Sequence, residues 1–98
     1  MSGYLSVQSH VESNISATTS AFDLRAGQYG VTVIAGNFNS GTVTLQRQAA
    51  DNSTWVTCLT AFAANGYATV NLPNGSYRLA ISSATGVYAD ITSIAVPV

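Results

Sequence analysis

Residues 41–56 read GTVTLQRQAADNSTWV and contain the clearest structural pattern in the chain. From Gly41 to Gln48 apolar and polar residues alternate, which is typical of a β-strand with one buried face. Asp51-Asn52-Ser53 then supplies short polar side chains that hydrogen-bond the local backbone in tight turns. Extended character resumes from Ser53 to Val56, where Trp55 is the largest apolar side chain. The stretch therefore predicts a β-hairpin whose two strands carry the centre of the core.

Similar segments lie on both sides of this hairpin, with turn signals about every ten residues and no long amphipathic helix. This spacing predicts an all-β fold, a single small antiparallel β-sandwich of about seven or eight strands, either jelly-roll or Ig-like. Tyr4–Gln8 predicts a first strand or an arm laid along a surface, which Val11–Ile15 would continue after a break near Ser9-His10. The other predicted strands are Ser20–Leu24, Tyr29–Ala35, Thr42–Gln48, Ser53–Cys58, Tyr67–Leu72, Ser76–Ser82 and Val87–Ile94. The predicted core residues are Val31, Val33, Val43, Leu45, Trp55, Val70, Leu72, Tyr77, Leu79 and Ile81.

Glycine-rich connections mark the predicted chain reversals. Residues 36–41 predict a wide hairpin loop around Phe38, and Asn65-Gly66 predicts a hairpin turn because both residues accept positive φ. Pro73-Asn74-Gly75 is a further turn signal. Gly27-Gln28-Tyr29 and Gly75-Ser76-Tyr77 share a Gly-x-Tyr pattern before an alternating strand. This similarity indicates two one-face-buried strands entered from a glycine turn, with internal duplication as the alternative.

Charge is scarce in this chain and limits the classes of function. Charged residues make up 7% of the 98 residues, where about 25% is typical, and there is no lysine. Three scattered arginines form no basic patch, which argues against nucleic-acid binding and against docking on anionic membranes. The apolar fraction of 47% supports a real core and argues against disorder.

The low charge also predicts assembly. Exposed strand edges are normally guarded by charged residues, lysine above all, and this chain has few such guards. We therefore expect a homo-oligomer or a protein bound to a larger assembly. The sequence starts without the basic and apolar regions of a secretory signal and has no apolar run of membrane-spanning length, so we expect synthesis in a cytoplasm.

Few residues are candidates for chemistry. His10 is the only histidine and lies near the N-terminus, so a solvent-facing side chain is favoured over a catalytic triad or zinc site. Cys58 is the only cysteine and is expected to pack as a small hydrophobe. Asp51-Asn52-Ser53 offers one carboxylate, which favours a structural turn over a calcium site. No catalytic residue, metal site or cofactor is predicted.

Aromatic side chains suggest a second type of function. Trp55, Tyr67, Tyr77 and Tyr88 would form a sugar-binding platform if they were exposed. Small β-sandwich carbohydrate-binding modules, such as those of tail fibres, use aromatic platforms of this kind. The predicted position of Trp55 on a central strand favours core packing instead. A carbohydrate-binding or adhesion module therefore remains the alternative to a structural protein.

Several segments resemble small virion proteins of tailed bacteriophages. The likeness covers about residues 27–86 and is carried by GTVTLQRQ, DNSTWV, residues 67–72 and LPNGSYRLAI. It implies a non-enzymatic virion protein that binds the outside of the head as a capsid decoration (cement) protein, or a virion accessory elsewhere. The expected partners are the major capsid protein and copies of this chain. The domain would span residues 1–98, with a candidate N-terminal arm at 1–15 and a C-terminal tail at 95–98. The candidate interface residues are Tyr4, Leu5, Val7, Phe38, Val96 and Val98.

Overall fold

The computed structural model describes residues 9–94 of the chain. These residues form eight β-strands and no helix. None of them belongs to a helix long and apolar enough to cross a membrane. The strands are β1 (Ser9–Ile15), β2 (Phe22–Leu24), β3 (Gly27–Asn37), β4 (Thr42–Gln48), β5 (Trp55–Thr57), β6 (Gly66–Leu72), β7 (Gly75–Ser82) and β8 (Thr85–Ser93).

The strands form two four-stranded sheets. The first sheet has the order β1-β8-β3-β6 and the second has the order β2-β7-β4-β5. All of the strand pairings are antiparallel. Eight strands in this order make the double Greek key of a jelly roll, whereas Ig-like domains divide their strands differently. The predicted all-β sandwich is confirmed, and the strand order selects the jelly-roll alternative.

The core lies between the two sheets and is built from alternate residues of six strands and one connection. Each fully buried aliphatic or aromatic side chain contributes about 1.5–3 kcal/mol relative to exposure. Seven of the predicted core residues are buried: Val31, Val33, Val43, Leu45, Leu72, Tyr77 and Leu79. The remaining buried hydrophobic residues of the described chain are Leu24, Tyr29, Ala84, Val87, Ala89 and Ile91.

Three predicted core residues lie elsewhere. Val70 and Ile81 are half-buried and pack against the core from its periphery. The prediction that Trp55 lies in the core is wrong. The register of the β4–β5 hairpin places Trp55 directly opposite Gln48. Since Leu45 points into the core, alternation turns Gln48 and its partner Trp55 to the solvent-facing side of the second sheet.

The repeated Gly-x-Tyr pattern corresponds to a repeated local structure. Tyr29 and Tyr77 are both buried, and each hydroxyl donates a 2.6 Å hydrogen bond to the carbonyl four residues earlier, Arg25 or Pro73. Each tyrosine also follows a buried leucine by five residues. Each leucine lies opposite the glycine of the other Gly-x-Tyr motif: Leu24 pairs with Gly75, and Leu72 pairs with Gly27. The two motifs form adjacent corners at which the chain passes between the sheets.

Among the strands of the described part of the chain, one consecutive pair, β4 and β5, lies in the same sheet. The predicted hairpin at residues 41–56 is therefore confirmed. The predicted hairpin loops at 36–41 and at Asn65-Gly66 are wrong, because β3–β4 and β5–β6 connect different sheets. Their glycine and asparagine residues still reverse the chain, but turn chemistry does not determine whether the flanking strands pair.

The N-terminal boundary of the sandwich differs from the prediction. Ser9–Ile15 forms β1 and pairs with β8, so these residues belong to the first sheet and not to an arm over 1–15. Residues 1–8 and the candidate tail at 95–98 lie outside the described part of the chain.

Candidate functional site

The solvent-facing side of the first sheet carries four of the exposed large hydrophobic residues. Val11 and Tyr67 are each 62% exposed, Tyr88 is 48% exposed and Ile34 is 45% exposed. We call this surface the outer face, and its members are Val11, Thr32, Ile34, Tyr67, Tyr88 and Asp90. Water contacts these apolar groups at a cost in free energy that burial against a partner would remove.

Cross-strand register places these residues side by side. Val11 of β1 lies opposite Asp90 of β8, Asp90 lies opposite Thr32 of β3, and Thr32 lies opposite Tyr67 of β6. The row thus crosses all four strands of the sheet. Ile34 and Tyr88 form the neighbouring pair on β3 and β8. Directly opposite side chains are close enough for contact, so the outer face is one continuous surface.

The outer face contains an open depression of about 400 Å³. Its apolar lining comes from Val11, Ile34, Tyr88 and Ala89. Within residues 9–94 its charged lining residues are Glu12 and Asp90. The Thr92 hydroxyl donates to Asp90 Oδ1 at 3.2 Å, which holds the carboxylate at the surface. An apolar, weakly acidic depression of this kind fits a partner that presents an apolar side chain beside hydrogen-bond donors.

Tyr67 is positioned by a glycine of the adjacent strand. A Cβ atom at Gly30 would lie 2.6 Å from Tyr67 Oη and 2.9 Å from its Cε1, so the ring lies across the β3 backbone at this point. A glycine inside a strand often marks such a close approach. Gly30 therefore lets the ring lie flat on the sheet while 62% of the side chain stays exposed.

The solvent-facing side of the second sheet has a different character. Arg78 Cζ lies 4.6 Å from the centre of the Trp55 ring, and Arg78 Nε donates to Gln46 Oε1 at 2.8 Å. Trp55 is half-buried beneath this guanidinium. The guanidinium covers the Trp55 ring and donates a hydrogen bond to the neighbouring Gln46 side chain. The cluster therefore stabilises the surface of the sheet. It leaves no open aromatic platform at Trp55.

His10 lies at the edge of the sandwich and not in solvent as predicted. Its side chain is 28% exposed, and its ring stacks on Phe22 with centroids 3.7 Å apart. His10 Nε2 also lies 2.6 Å from Glu12 Oε2. Because β1 and β2 belong to different sheets, the stacked pair closes one side of the sandwich. Within residues 9–94 no group of three potential metal ligands is found.

Cys58 and Asp51 are both held in structural roles. Cys58 is half-buried against the core, and this burial raises the pKa of its thiol, which keeps it protonated and weakly reactive. Asp51 accepts hydrogen bonds from the Thr54 hydroxyl at 2.6 Å and from the Thr54 and Ser53 amides. These bonds lower the pKa of Asp51 to about 2 and occupy both carboxylate oxygens. The side chain organises the β4–β5 turn.

The predicted interface residues are largely outside the structure. Tyr4, Leu5, Val7, Val96 and Val98 lie outside the described residues. Phe38 is half-buried in the β3–β4 connection and packs against the core, and its role at an interface stays a prediction.

The outer-face residues were not assigned to an interface by the sequence pattern. Alternation placed Ile34 opposite to the buried face of β3, but it does not distinguish a solvated face from a docking face. Gly30, inside the strand Gly27–Asn37, is a local signal in the sequence for a close approach to the main chain. Of the aromatic residues considered together as a platform, the structure brings Tyr67 and Tyr88 to one face and separates Tyr77 and Trp55 from them.

Comparisons with known proteins identify no relative of this chain. No family model matches it, and neither the curated proteins nor the solved structures contain a match.

Proposed function

We propose that this chain is a non-enzymatic structural protein of a phage virion that decorates and stabilises the capsid through protein–protein contacts. The observation that carries the proposal is the apolar outer face, with Val11, Ile34, Tyr67 and Tyr88 exposed on a protein with few charges. The resemblance of residues 27–86 to small tailed-phage virion proteins supports the same assignment. The jelly-roll fold is shared by viral capsid and lectin domains, which is support by analogy only.

The chemistry of the outer face suits docking on another protein. Aromatic residues are enriched at interface centres because they bury a large area with little conformational freedom to lose. Tyr67 and Tyr88 would act as these anchors, and Ile34 lies opposite Tyr88 on the adjacent strand. Asp90 lines the depression without a cation in the same lining, whereas Glu12 is already paired with His10. The matching capsid surface is therefore expected to present arginine, lysine or main-chain N–H groups.

Binding to empty heads assembled from the major capsid protein alone tests this proposal. Ile34→Asp and Tyr88→Asp place a charge on the outer face, and Val56→Asp is the matched control on the other sheet, where Val56 is 52% exposed. We expect each outer-face variant to bind at least about tenfold more weakly, and the control to stay within about twofold of wild type. Heads that fail to bind the wild-type protein, or that bind all variants equally, would overturn outer-face docking.

Carbohydrate binding is the second candidate, and one observation favours it. A sugar platform requires at least two aromatic residues exposed on one face, and Tyr67 and Tyr88 meet this requirement. Asp90 and Thr32, in the adjacent strands, would supply polar groups for sugar hydroxyls. Titration with a panel of oligosaccharides, monitored by amide and aromatic NMR shifts, tests this candidate. Saturable shifts at Tyr67 and Tyr88 would support it, and unchanged spectra at millimolar sugar would exclude the panel.

A further inference from the structure

In the part of the chain that the structure describes, three of the four edge strands are protected against pairing with another chain. β1 carries His10 and Glu12, and its register is broken by a bulge between Glu12 and Ile15. β2 and β5 have three residues each. Beyond β2, the hydroxyls of Thr19 and Thr18 accept hydrogen bonds from the Leu79 and Ile81 amides of β7. Short, charged and irregular edges are the usual means of preventing edge-to-edge association.

β6 has none of these protections. It runs for seven residues, Gly66–Leu72, with the sequence GYATVNL, and contains no charged residue and no proline. It pairs with β3 in an unbroken register from Gly66 to Leu72. Among residues 9–94 no strand pairs with its other side, which forms the free edge of the first sheet. A long, regular, uncharged edge is a template for one more antiparallel strand.

The direction of the free main-chain groups follows from the neighbouring hydrogen bonds. Gln28 O accepts from Ile94 N on the β8 side of β3, whereas Ala35 N donates to Asn65 Oδ1 on the β6 side. Main-chain groups alternate in direction along a strand, so odd-numbered β3 residues bond to β6 and even-numbered ones bond to β8. The main-chain N–H and C=O groups of their β6 partners therefore point towards β3. These partners are Gly66, Ala68, Val70 and Leu72.

The N–H and C=O groups of Tyr67, Thr69 and Asn71 therefore point away from the sheet. Among residues 9–94 these groups have no recorded hydrogen-bond partner. All three residues are exposed. Their spacing places three donors and three acceptors along one line, in the arrangement that an antiparallel strand requires.

We infer that the β6 edge is a homodimer interface, at which two copies of this chain join their first sheets into one continuous eight-stranded sheet. The two-fold axis would pass beside Thr69, so that Thr69 faces Thr69 and Tyr67 faces Asn71 of the second copy. In this register every outward N–H finds an outward C=O. Threonine pairs directly across antiparallel strands are favourable.

A second copy fits this edge better than an unrelated strand because the edge is complementary to itself. Two-fold antiparallel pairing places each residue of one copy opposite the residue of the second copy that lies equally far from Thr69 on its other side. Because β6 contains no charged residue, no like charges meet near the axis. Two-fold dimers are also the commonest closed assembly, and such an interface uses the same patch on both subunits. This inference concerns the edge of the sheet and does not depend on docking through the outer face.

Two variants at the centre of the edge test the pairing. Thr69→Pro removes an outward N–H without removing a bond to β3, and proline is tolerated at such edge positions. Thr69→Lys places two ammonium groups at the two-fold axis. We expect sedimentation equilibrium to show a wild-type dimer, and each variant to raise the dimer dissociation constant at least about tenfold. Val56→Lys, the matched control on the β5 edge, should leave it unchanged.

Amide hydrogen exchange provides the residue-level measurement. The Tyr67, Thr69 and Asn71 amides should gain at least about tenfold protection as the protein concentration is raised through the dimer range, while Ala68 and Val70 stay protected throughout. A wild-type protein that stays monomeric at all concentrations would overturn the inference, even if it binds heads. Protection of these amides only when heads are added would also overturn it, since the edge would then pair with the shell.

Discussion

At the residue scale, two tyrosines with the same local sequence perform the same task in different sheets. Tyr29 and Tyr77 each bury a ring in the core and donate the hydroxyl to a carbonyl four residues earlier. The hydroxyl thereby avoids the cost of an unpaired buried polar group and ties the strand to the preceding corner. Burial raises the pKa of both phenols.

We expect Tyr77→Phe to lower the free energy of unfolding by about 1 kcal/mol, because the bond from Tyr77 Oη to Pro73 O is lost. Tyr88→Phe, at an exposed position, should change it by less than about 0.5 kcal/mol. The raised pKa of Tyr77 means that the unfolded chain ionises first. Stability from the neutral phenol is therefore complete below about pH 10 and is lost as pH rises above it.

Urea unfolding of the three proteins between about pH 7 and pH 11 measures both effects. The difference in the free energy of unfolding between wild type and Tyr77→Phe should become smaller at the alkaline end of this range. A gap that stays constant to pH 11 would contradict the role of the buried neutral phenol.

Asp51 gives a second prediction at this scale, in acid. Its pKa is lowered to about 2 by hydrogen bonds from Thr54 and Ser53, against 3.8 for an unperturbed aspartate. A lowered pKa stabilises the fold above about pH 4, and that contribution is lost as pH falls towards 2. Asp51→Asn removes the titration, so the variant should lose less stability than wild type between about pH 4 and pH 2. Parallel acid-unfolding curves would contradict this prediction.

At the element scale, the hairpin of β4 and β5 is determined locally, while its docking on β7 depends on a glycine. Alternation in β4 directs Val43 and Leu45 into the core, and the Asp51 turn joins β4 to β5. Gly41 precedes β4 and is buried, and a Cβ atom at this position would lie 1.7 Å from Ser82 O. The approach of β4 to the end of β7 therefore requires glycine.

Gly41→Ala should lower the free energy of unfolding by about 3 kcal/mol or more, because main-chain atoms of Ser82 would have to move. Gly36→Ala is the matched control near the end of β3, on the other side of the β3–β4 connection. Its added Cβ would meet no atom closer than 3.7 Å, so we expect a change of less than about 1 kcal/mol. Chemical denaturation of both variants by circular dichroism measures the difference, and equal losses would contradict the steric explanation.

At the scale of the whole molecule, packing and main-chain hydrogen bonds carry stability with little help from charge. The chain has three basic and four acidic side chains in 98 residues, and none of the buried residues in the described part is polar or charged. Exposed ion pairs contribute about 0–1 kcal/mol and are screened by salt.

We therefore expect the melting temperature to change by less than about 3 °C between 50 mM and 500 mM NaCl at neutral pH, since little charge is available for screening. Differential scanning calorimetry at a fixed protein concentration measures this change. Holding the concentration constant matters because a dimer would couple the melting temperature to it. A shift of about 10 °C or more would show that charge interactions stabilise the fold.

Short-range patterns determined the strands of this protein and most of its core. Period-two alternation located β4 at Thr42–Gln48 and placed seven buried residues correctly, because a strand with one buried face must alternate. The scarcity of charge is also a property of the sequence alone. The repeated Gly-x-Tyr pattern predicted two similar strands that each follow a glycine turn. It did not predict the corners between the sheets at which the two tyrosines lie.

The tertiary structure alone decided which strands pair and which faces meet solvent. Turn residues at 36–41 and 65–66 reverse the chain in the same way whether the next strand pairs or crosses to the other sheet, so the jelly-roll order was open. Trp55 lies on the solvent-facing side of its sheet and not in the core as predicted. The face that a side chain occupies depends on the register across the hairpin, and a shift of one residue moves every side chain to the opposite face. The outer face and the free edge of β6 exist only once four distant strands are assembled, and no local pattern encodes that neighbourhood.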